Sequence, residues 1–341
     1  MVEKELHDGG KDSQSPSQFI NDYLQRHSYG WTNVEADRHF EKQRRQADEA
    51  GPAQRQVFLD MMCRIGEEIE EETRAIGLGK ARPSILDLCA APGGFIATAL
   101  RYNPAATICG VSLPTALGGH PLLVPQGGAD PRVNVSFLDI TLLGNEYGLD
   151  PDQYATPTLS PSRPYYGQSF DLVFCDGQVL RTHAPFRDQK SERFEARRLA
   201  CSQMILALQR IRDGGTLIML LHKVESWHTL QTICAFYGFA RVQLYKPKKC
   251  HTTRSSFYLI ATKIRPDSPT AKMAVGTWRT MWKEATISQP DSLEGSLSSS
   301  LVGVEDEVNK LLENFGRHIV QLADPVWRVQ RDALSTKSWA R

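Results

Sequence analysis

From Arg82 to about Thr262, short apolar runs alternate with segments of helical spacing, the pattern of a sheet whose strands are joined by helical crossovers. Candidate strands are Ser84–Cys89, Thr107–Val111, Val133–Leu138, Phe170–Cys175, Thr216–Leu221, Ala240–Tyr245 and Phe257–Thr262. Helices are predicted over Phe95–Tyr102, Glu192–Ile211 and Ser226–Tyr237. The last two strands are separated only by a short basic loop, so they are expected to pair antiparallel. Upstream, Gln18–Ile76 has helical spacing. Phe58, Met61, Met62, Ile65 and Ile69 form one apolar stripe, while the acidic run from Glu67 to Glu72 falls mostly outside it and reads as a solvated face. Thr141–Ser169, rich in Pro, Tyr and Gly, reads as a long surface loop. After Lys263 come a linker, a helix near Ala274–Ala285 and a polar stretch at Ser288–Ser300. Two more helical segments, Glu305–Leu322 and Pro325–Leu334, follow. Trp278, Trp282 and Trp327 are expected to anchor this region by packing. The implied layout is a disordered tail (1–15), a helical N-terminal region (16–80), an α/β domain (81–264) and a helical C-terminal extension (265–341).

Composition narrows the class without naming a function. Of the 341 residues, 41% are hydrophobic and 23% charged, as in soluble globular proteins. No apolar run approaches ~18 residues, so no membrane span is expected. The charged N-terminus lacks the apolar core of a signal peptide. Seven cysteines are scattered without Cys-x-x-Cys or zinc-ligand spacing. They are expected to be reduced in a cytoplasmic or nuclear protein, and no metal site is expected. A net charge of +1 limits any polyanion contact to a local patch.

Candidate chemistry begins at Ser84-Ile-Leu-Asp-Leu-Cys-Ala-Ala-Pro-Gly-Gly-Phe95. It is an apolar strand carrying an acid, then a turn of small residues, then a helix start. Glycines at such a crossing let the backbone approach a ligand, and the helix N-terminus is electropositive. The spacing is not the G-x-G-x-x-G of a dinucleotide fingerprint.

Asp87-Leu-Cys-Ala-Ala-Pro-Gly-Gly-Phe95 resembles the S-adenosylmethionine loop of FtsJ/RrmJ-type RNA ribose 2′-O-methyltransferases. The whole layout resembles stand-alone FtsJ-like domain proteins of filamentous fungi. The resemblance implies a Rossmann-like class I methyltransferase fold, with a seven-stranded mixed sheet in the order 3-2-1-4-5-7-6. It implies S-adenosylmethionine as cofactor, held by Asp87, Cys89, Ala90, Pro92, Gly93, Gly94, Phe95, Ser112, Asp139 and Asp176. In this register Asp139 would read the adenine, and Ser112 replaces the acid usual for the ribose. Asp176 and Lys223 match two members of the family's catalytic Lys-Asp-Lys-Glu tetrad. Leu59 and Ser256 stand at the other two positions, with Arg55, Glu225 and His251 as nearby substitutes.

Two further readings bear on the same residues. The loop also resembles that of RNA cytosine-5 methyltransferases, but their covalent chemistry needs cysteines in turns after the fourth and fifth strands. Here Cys175 lies within a strand and His222-Lys223 follows the fifth. The incomplete tetrad also fits a cofactor-binding pseudoenzyme acting as an RNA or protein adaptor. An RNA acceptor would meet local basic patches: Lys246, Lys248, Lys249 and Arg254 in one loop, or Arg181, Arg187, Lys190, Arg193, Arg197 and Arg198 after Asp176.

Overall fold

The computed structural model describes residues 38, 52–150, 152, 159–179, 192–287 and 290–337. The expected tail, nearly all of the N-terminal region before Pro52, and Arg181, Arg187 and Lys190 lie outside them.

Seven strands form one sheet: β1 (Ser84–Leu88), β2 (Thr107–Ser112), β3 (Val133–Phe137), β4 (Phe170–Cys175), β5 (Ile211–His222), β6 (Arg241–Tyr245) and β7 (Ser256–Thr262). Their order is β3-β2-β1-β4-β5-β7-β6, as the resemblance implied. β7 pairs antiparallel with β5 and β6, and the other neighbours are parallel. The helices are α1 (Pro52–Thr73), α2 (Gly94–Tyr102), α3 (Gly144–Tyr147), α4 (Glu192–Arg210), α5 (Trp227–Tyr237), α6 (Pro269–Ile287) and α7 (Pro290–Ser335). Among the described residues, no helix is long and apolar enough to cross a membrane.

Strand alternation sends successive side chains to opposite faces, and each face is buried. Ile85, Ile108, Phe174, Ile218 and Ile260 pack under Met62, Ile65 and Ile69 of α1 and Phe95, Ile96 and Ala99 of α2. Leu86, Val111, Val173, Met219 and Leu259 face Met204 and Ile205 of α4, Phe236 of α5 and Trp278 and Trp282 of α6. The three tryptophans anchor as expected. Trp282 is fully buried and donates to the Thr141 carbonyl (2.9 Å), Trp278 stacks on Phe236, and Trp327 is buried from α7.

Several expectations are corrected. Thr141–Ser169 is not simply a surface loop. Leu143, Tyr147 and Leu159 are buried, and Glu146 of α3 forms a buried ion pair with Arg210 at 2.7 Å. β5 starts at Ile211, directly after α4, because the chain kinks at Gly214 (φ 74°) and shifts register between Phe170 and Leu172. The Ser-rich stretch from Pro290 onward and the two later helical segments form the single helix α7, with Pro325 inside it.

The acidic run is only in part a solvated face: Glu71 and Glu72 are exposed as expected, but Glu68 and Glu70 are buried. Glu70 is buried and accepts from the Ile76 and Gly77 N–H groups (both 2.8 Å). Glu68 is buried against the loop between β6 and β7. Helical spacing registers where carboxylates point, but not the tertiary N–H groups that wait for them.

Candidate active site

Sheet register assembles the site. Leu88 pairs with both Val111 and Cys175, so Cys89, Ser112 and Asp176 emerge side by side at the carboxyl edge, where ligands of such sheets bind. Next to them, Ser112 pairs with Phe137, two residues before Asp139. These side chains line a cleft of about 840 Å³, open solvent at its mouth included. Asp139 caps the turn that follows it, accepting from Thr141 N–H (2.8 Å) and hydroxyl (2.7 Å). Buried Gln203 grips Gly177 through both its N–H (2.8 Å) and its carbonyl (3.3 Å), fixing the backbone next to Asp176.

The rest of the expected cofactor set stands behind this lining. Phe95 is buried in the core, stacked on Phe174 (4.9 Å) and edge-on to Tyr258 (6.0 Å). Gly94 is glycine because α1 presses on it, and an added Cβ would lie 2.3 Å from Met62 Cβ. Gly93 has φ 111° and would strike Val124, so the turn needs glycine for both conformation and space. Ala90 and Pro92 are buried as well. They shape the turn, while the neighbouring Ala91 reaches the cleft and donates its N–H to Ser112 Oγ (3.3 Å).

Asp87 is the informative member. It is 1% exposed, and neither carboxylate oxygen has a hydrogen-bond partner. Burial and the neighbouring Asp176 push its carboxyl well above the usual range. Burial raises Asp176 to about 7, against a hydrogen bond from the Tyr258 hydroxyl (3.1 Å) that lowers it. A buried carboxyl beside a partly buried one, with no lysine or arginine lining the cleft among the described residues, is costly and suits a positively charged guest. The Cys89 thiol is pushed up by burial. Cys175 is fully buried and its thiol is pushed up strongly, which removes the cysteine-nucleophile route.

A second, smaller cavity opens beside the first. α1 walls it with Phe58, Met61, Met62 and Ile65, and the opposite side carries Pro247, His251, Ser256 and Tyr258. Phe58, Met62, Asp176 and Gln178 line both cavities. Of the tetrad positions, the structure brings Asp176 and Ser256 together, with His251. Leu59, Arg55 and Glu225 are not among the lining residues of either cavity.

Lys223 is absent from both linings too. The reason is register. Cys175 pairs with Met219, so Asp176 lies level with Leu220, and Lys223 is three residues further along, just past the end of β5. Its side chain is exposed and its backbone has φ 49°. No lysine or arginine lines either cavity among the described residues.

The basic loop is largely spent internally. Lys246 is buried and donates to three carbonyls, while Lys248 pairs with Glu72 (2.7 Å) and Lys249 stands 4.0 Å from Glu71. Sequence reasoning missed His120, Gln178 and Tyr258. Tyr258 carried a signal, because strand alternation places it on the same face as Ser256. His120, in the loop after β2, carried none.

A family model described as FtsJ-like methyltransferase matches residues 67–264. The chain belongs to the FtsJ-like methyltransferases. The match begins inside α1, and the fold is the Rossmann-like class I methyltransferase fold. S-adenosylmethionine is the cofactor of this FtsJ-like chain. The orphaned Asp87 carboxylate and the cleft at the strand ends fit a cofactor that carries a sulfonium and an amino group. Similar solved structures include a protein from Plasmodium falciparum described as a ribosomal RNA methyltransferase, 17% identical over 59% of this chain and 96% of that one, with TM-score 0.40. Another, from Listeria monocytogenes, is described as a class I S-adenosylmethionine-dependent methyltransferase, 13% identical over 64% and 70%, with TM-score 0.38. At these scores the likenesses add nothing to the family assignment. No curated protein matches the sequence.

Proposed function

We propose that this FtsJ-like protein transfers the methyl group of S-adenosylmethionine to a ribose 2′-hydroxyl of RNA, with Asp176 as proton acceptor. The observation that carries the reading is Asp176 on the wall common to the two cavities, with its carboxyl held at about 7. A base poised there is ionised above neutrality and still basic enough to take a proton in the transition state. When bound, the cofactor supplies an electrophilic methyl and a positive charge. Asp87 would balance that charge, while Ser112 and Asp139 would hold the polar groups of the nucleoside portion. The second cavity would take the acceptor hydroxyl, and Tyr258 orients the Asp176 carboxylate toward it. The RNA acceptor is supported by the family resemblance and by a cation group at the end of β5, where Lys223, Lys246 and Arg254 all act on His222. Lys223 therefore serves phosphate contact rather than the proton transfer that the tetrad comparison implied. The setting proposed is cytoplasm or nucleus, in keeping with the free cysteines.

The test is transfer of labelled methyl to total RNA, followed by nuclease digestion to nucleosides, with Asp176→Asn as control. Label in 2′-O-methylated nucleosides that disappears in the variant supports the reading. Cofactor binding without any transfer would replace it with the adaptor reading, which the absence of a cavity-lining lysine among the described residues favours.

A further inference from the structure

The second cavity has walls that are fastened to each other. The Glu68 carboxylate on α1 accepts from the backbone N–H groups of Lys248 (2.7 Å) and Lys249 (3.2 Å) and from the Tyr245 hydroxyl (3.3 Å). It thus clamps the loop between β6 and β7 against the helix. Within that loop, Lys246 is 3% exposed and gives its ammonium to the carbonyls of His251 (3.2 Å), Arg254 (2.6 Å) and Ser256 (2.7 Å). The His251 carbonyl also accepts from Arg254 N–H (3.0 Å), and His251 itself has φ 56°. A buried ammonium is unfavourable unless well bonded, and a histidine in the left-handed region is uncommon. Together they aim one imidazole into the cavity that also holds Asp176.

We infer that His251 is a catalytic residue on the acceptor side, hydrogen-bonding the acceptor hydroxyl so that it points at Asp176, and that Lys246 is the positioning residue that fixes it. This rests on the reading of RNA ribose O-methylation given above. Burial and the cations Arg254, Lys246 and His222 hold the imidazole down to about 4. At neutral pH it is therefore an uncharged ring with one N–H to donate, and too weak a base to take the proton itself. In the step, the hydroxyl oxygen accepts from the imidazole N–H and forms its bond to the methyl carbon. Its proton passes to the Asp176 carboxylate, and the electron pair of the breaking carbon–sulfur bond leaves on sulfur as a neutral thioether. The imidazole ends as it began.

The experiment uses the full chain with fragmented total RNA as acceptor. His251→Ala is expected to lower kcat/KM for RNA about 100-fold, with the cofactor Kd from calorimetry unchanged. His251→Gln, which keeps a side-chain N–H donor, should recover at least about tenfold of that and keep the activity midpoint near pH 7 set by Asp176. Lys246→Met should reproduce the alanine pattern. Independently of turnover, a random-sequence pool of RNA 10-mers should shift the His251 imidazole ¹⁵N resonances, and the 2′-deoxy pool should not. Activity of His251→Ala within about threefold of wild type, equal loss in the Ala and Gln variants, or identical shifts from both pools would overturn the inference. Wild-type protein that leaves RNA unlabelled would instead overturn the ribose-methylation reading, and the resonance comparison would still decide His251.

Discussion

The two halves of the sheet's carboxyl edge are built on different principles. On the β1–β2–β3 side, parallel strands in register deliver Cys89, Ser112 and Asp139 to one cleft. The geometry follows from strand ends alone. On the β5–β7–β6 side an antiparallel hairpin replaces the crossovers, and Leu220, Ser256 and Tyr258 of β5 and β7 reach the second cavity together with Pro247 and His251 of a loop pinned by tertiary bonds. There the expected lysine is out of reach and the expected phosphate-binding patch is consumed by carboxylates of α1. A cofactor half can be inherited with its strand order. An acceptor half is remade whenever the loops and the helix opposite them change.

Removing the charge shared by both halves tests this contrast most severely. Asp176→Asn should lower methyl transfer about 1,000-fold, within the range for a general base, as read from label incorporation at saturating cofactor. The same variant should be more stable above neutrality. The folded carboxyl titrates near 7 and the unfolded one near 3.8. Both are protonated below about pH 3.8, the folded state loses stability as pH rises from there to about 7, and the loss is constant above. Asp176 opens partly onto the cleft, so the shift is discounted to about 2 kcal/mol, measurable as a higher Tm of the variant at pH 8. An unchanged Tm would mean that the carboxyl is not strained.

Asp87→Asn separates the halves. An unpartnered buried carboxylate that balances a bound positive charge should cost about 10- to 100-fold in cofactor affinity when neutralised, by calorimetry. KM for RNA should stay as in wild type. A variant that binds cofactor normally would show that Asp87 shapes the turn and does not sense the ligand.

The pH profile sharpens the assignment of the base. Burial raises Asp176, and the groups facing it are Asp87 on β1, Cys89 in the following turn, Cys175 on β4 and Tyr258 on β7, with His251 across the cavity. Tyr258 is pushed well above its usual value by burial and by Asp176, so the tyrosine does not change state near neutrality and Asp176 is held at about 7. Activity should therefore climb about tenfold per pH unit below pH 7 and level off above it. Tyr258→Phe removes the hydrogen bond that favours the ionised form, so it should move the midpoint upward. A midpoint unmoved in that variant would detach Asp176 from the profile.

These tests mark how far the sequence could be read. Most strand boundaries follow from apolar runs, because period-two burial leaves few alternatives, whereas the sheet order and the roles of the residues just beyond β1, β2 and β4 come from the resemblance that the turn carries. The roles of Phe95 and Gly94 were not legible, since nothing in the turn says that α1 crosses above it. Gly94→Ala makes that point measurable. A methyl 2.3 Å from Met62 Cβ should cost about 1–3 kcal/mol by overpacking, seen as a lower midpoint in urea. The pairing of Lys248 could not be seen from a run of basic residues, because its partners lie on a helix some 180 positions away in the chain, and the burial of Lys246 depends on how its own loop folds back to offer the carbonyls of His251, Arg254 and Ser256.

The smallest expected effect bears on that last point. Lys223 is exposed, and among the described residues no ion pair holds its side chain, whereas Lys248 bonds to Glu72 at 2.7 Å. A phosphate must displace that carboxylate to use Lys248, but meets no such competition at Lys223. Lys223→Ala should raise KM for RNA a few-fold, leave kcat within about twofold, and flatten the dependence of log KM on log salt by about one unit. Lys248→Ala should leave that slope unchanged. If kcat collapses in Lys223→Ala while the slope holds, the lysine reaches the reacting hydroxyl after all. The β5 end would then have to bend inward on binding, closing the gap of three residues that separates it from Asp176.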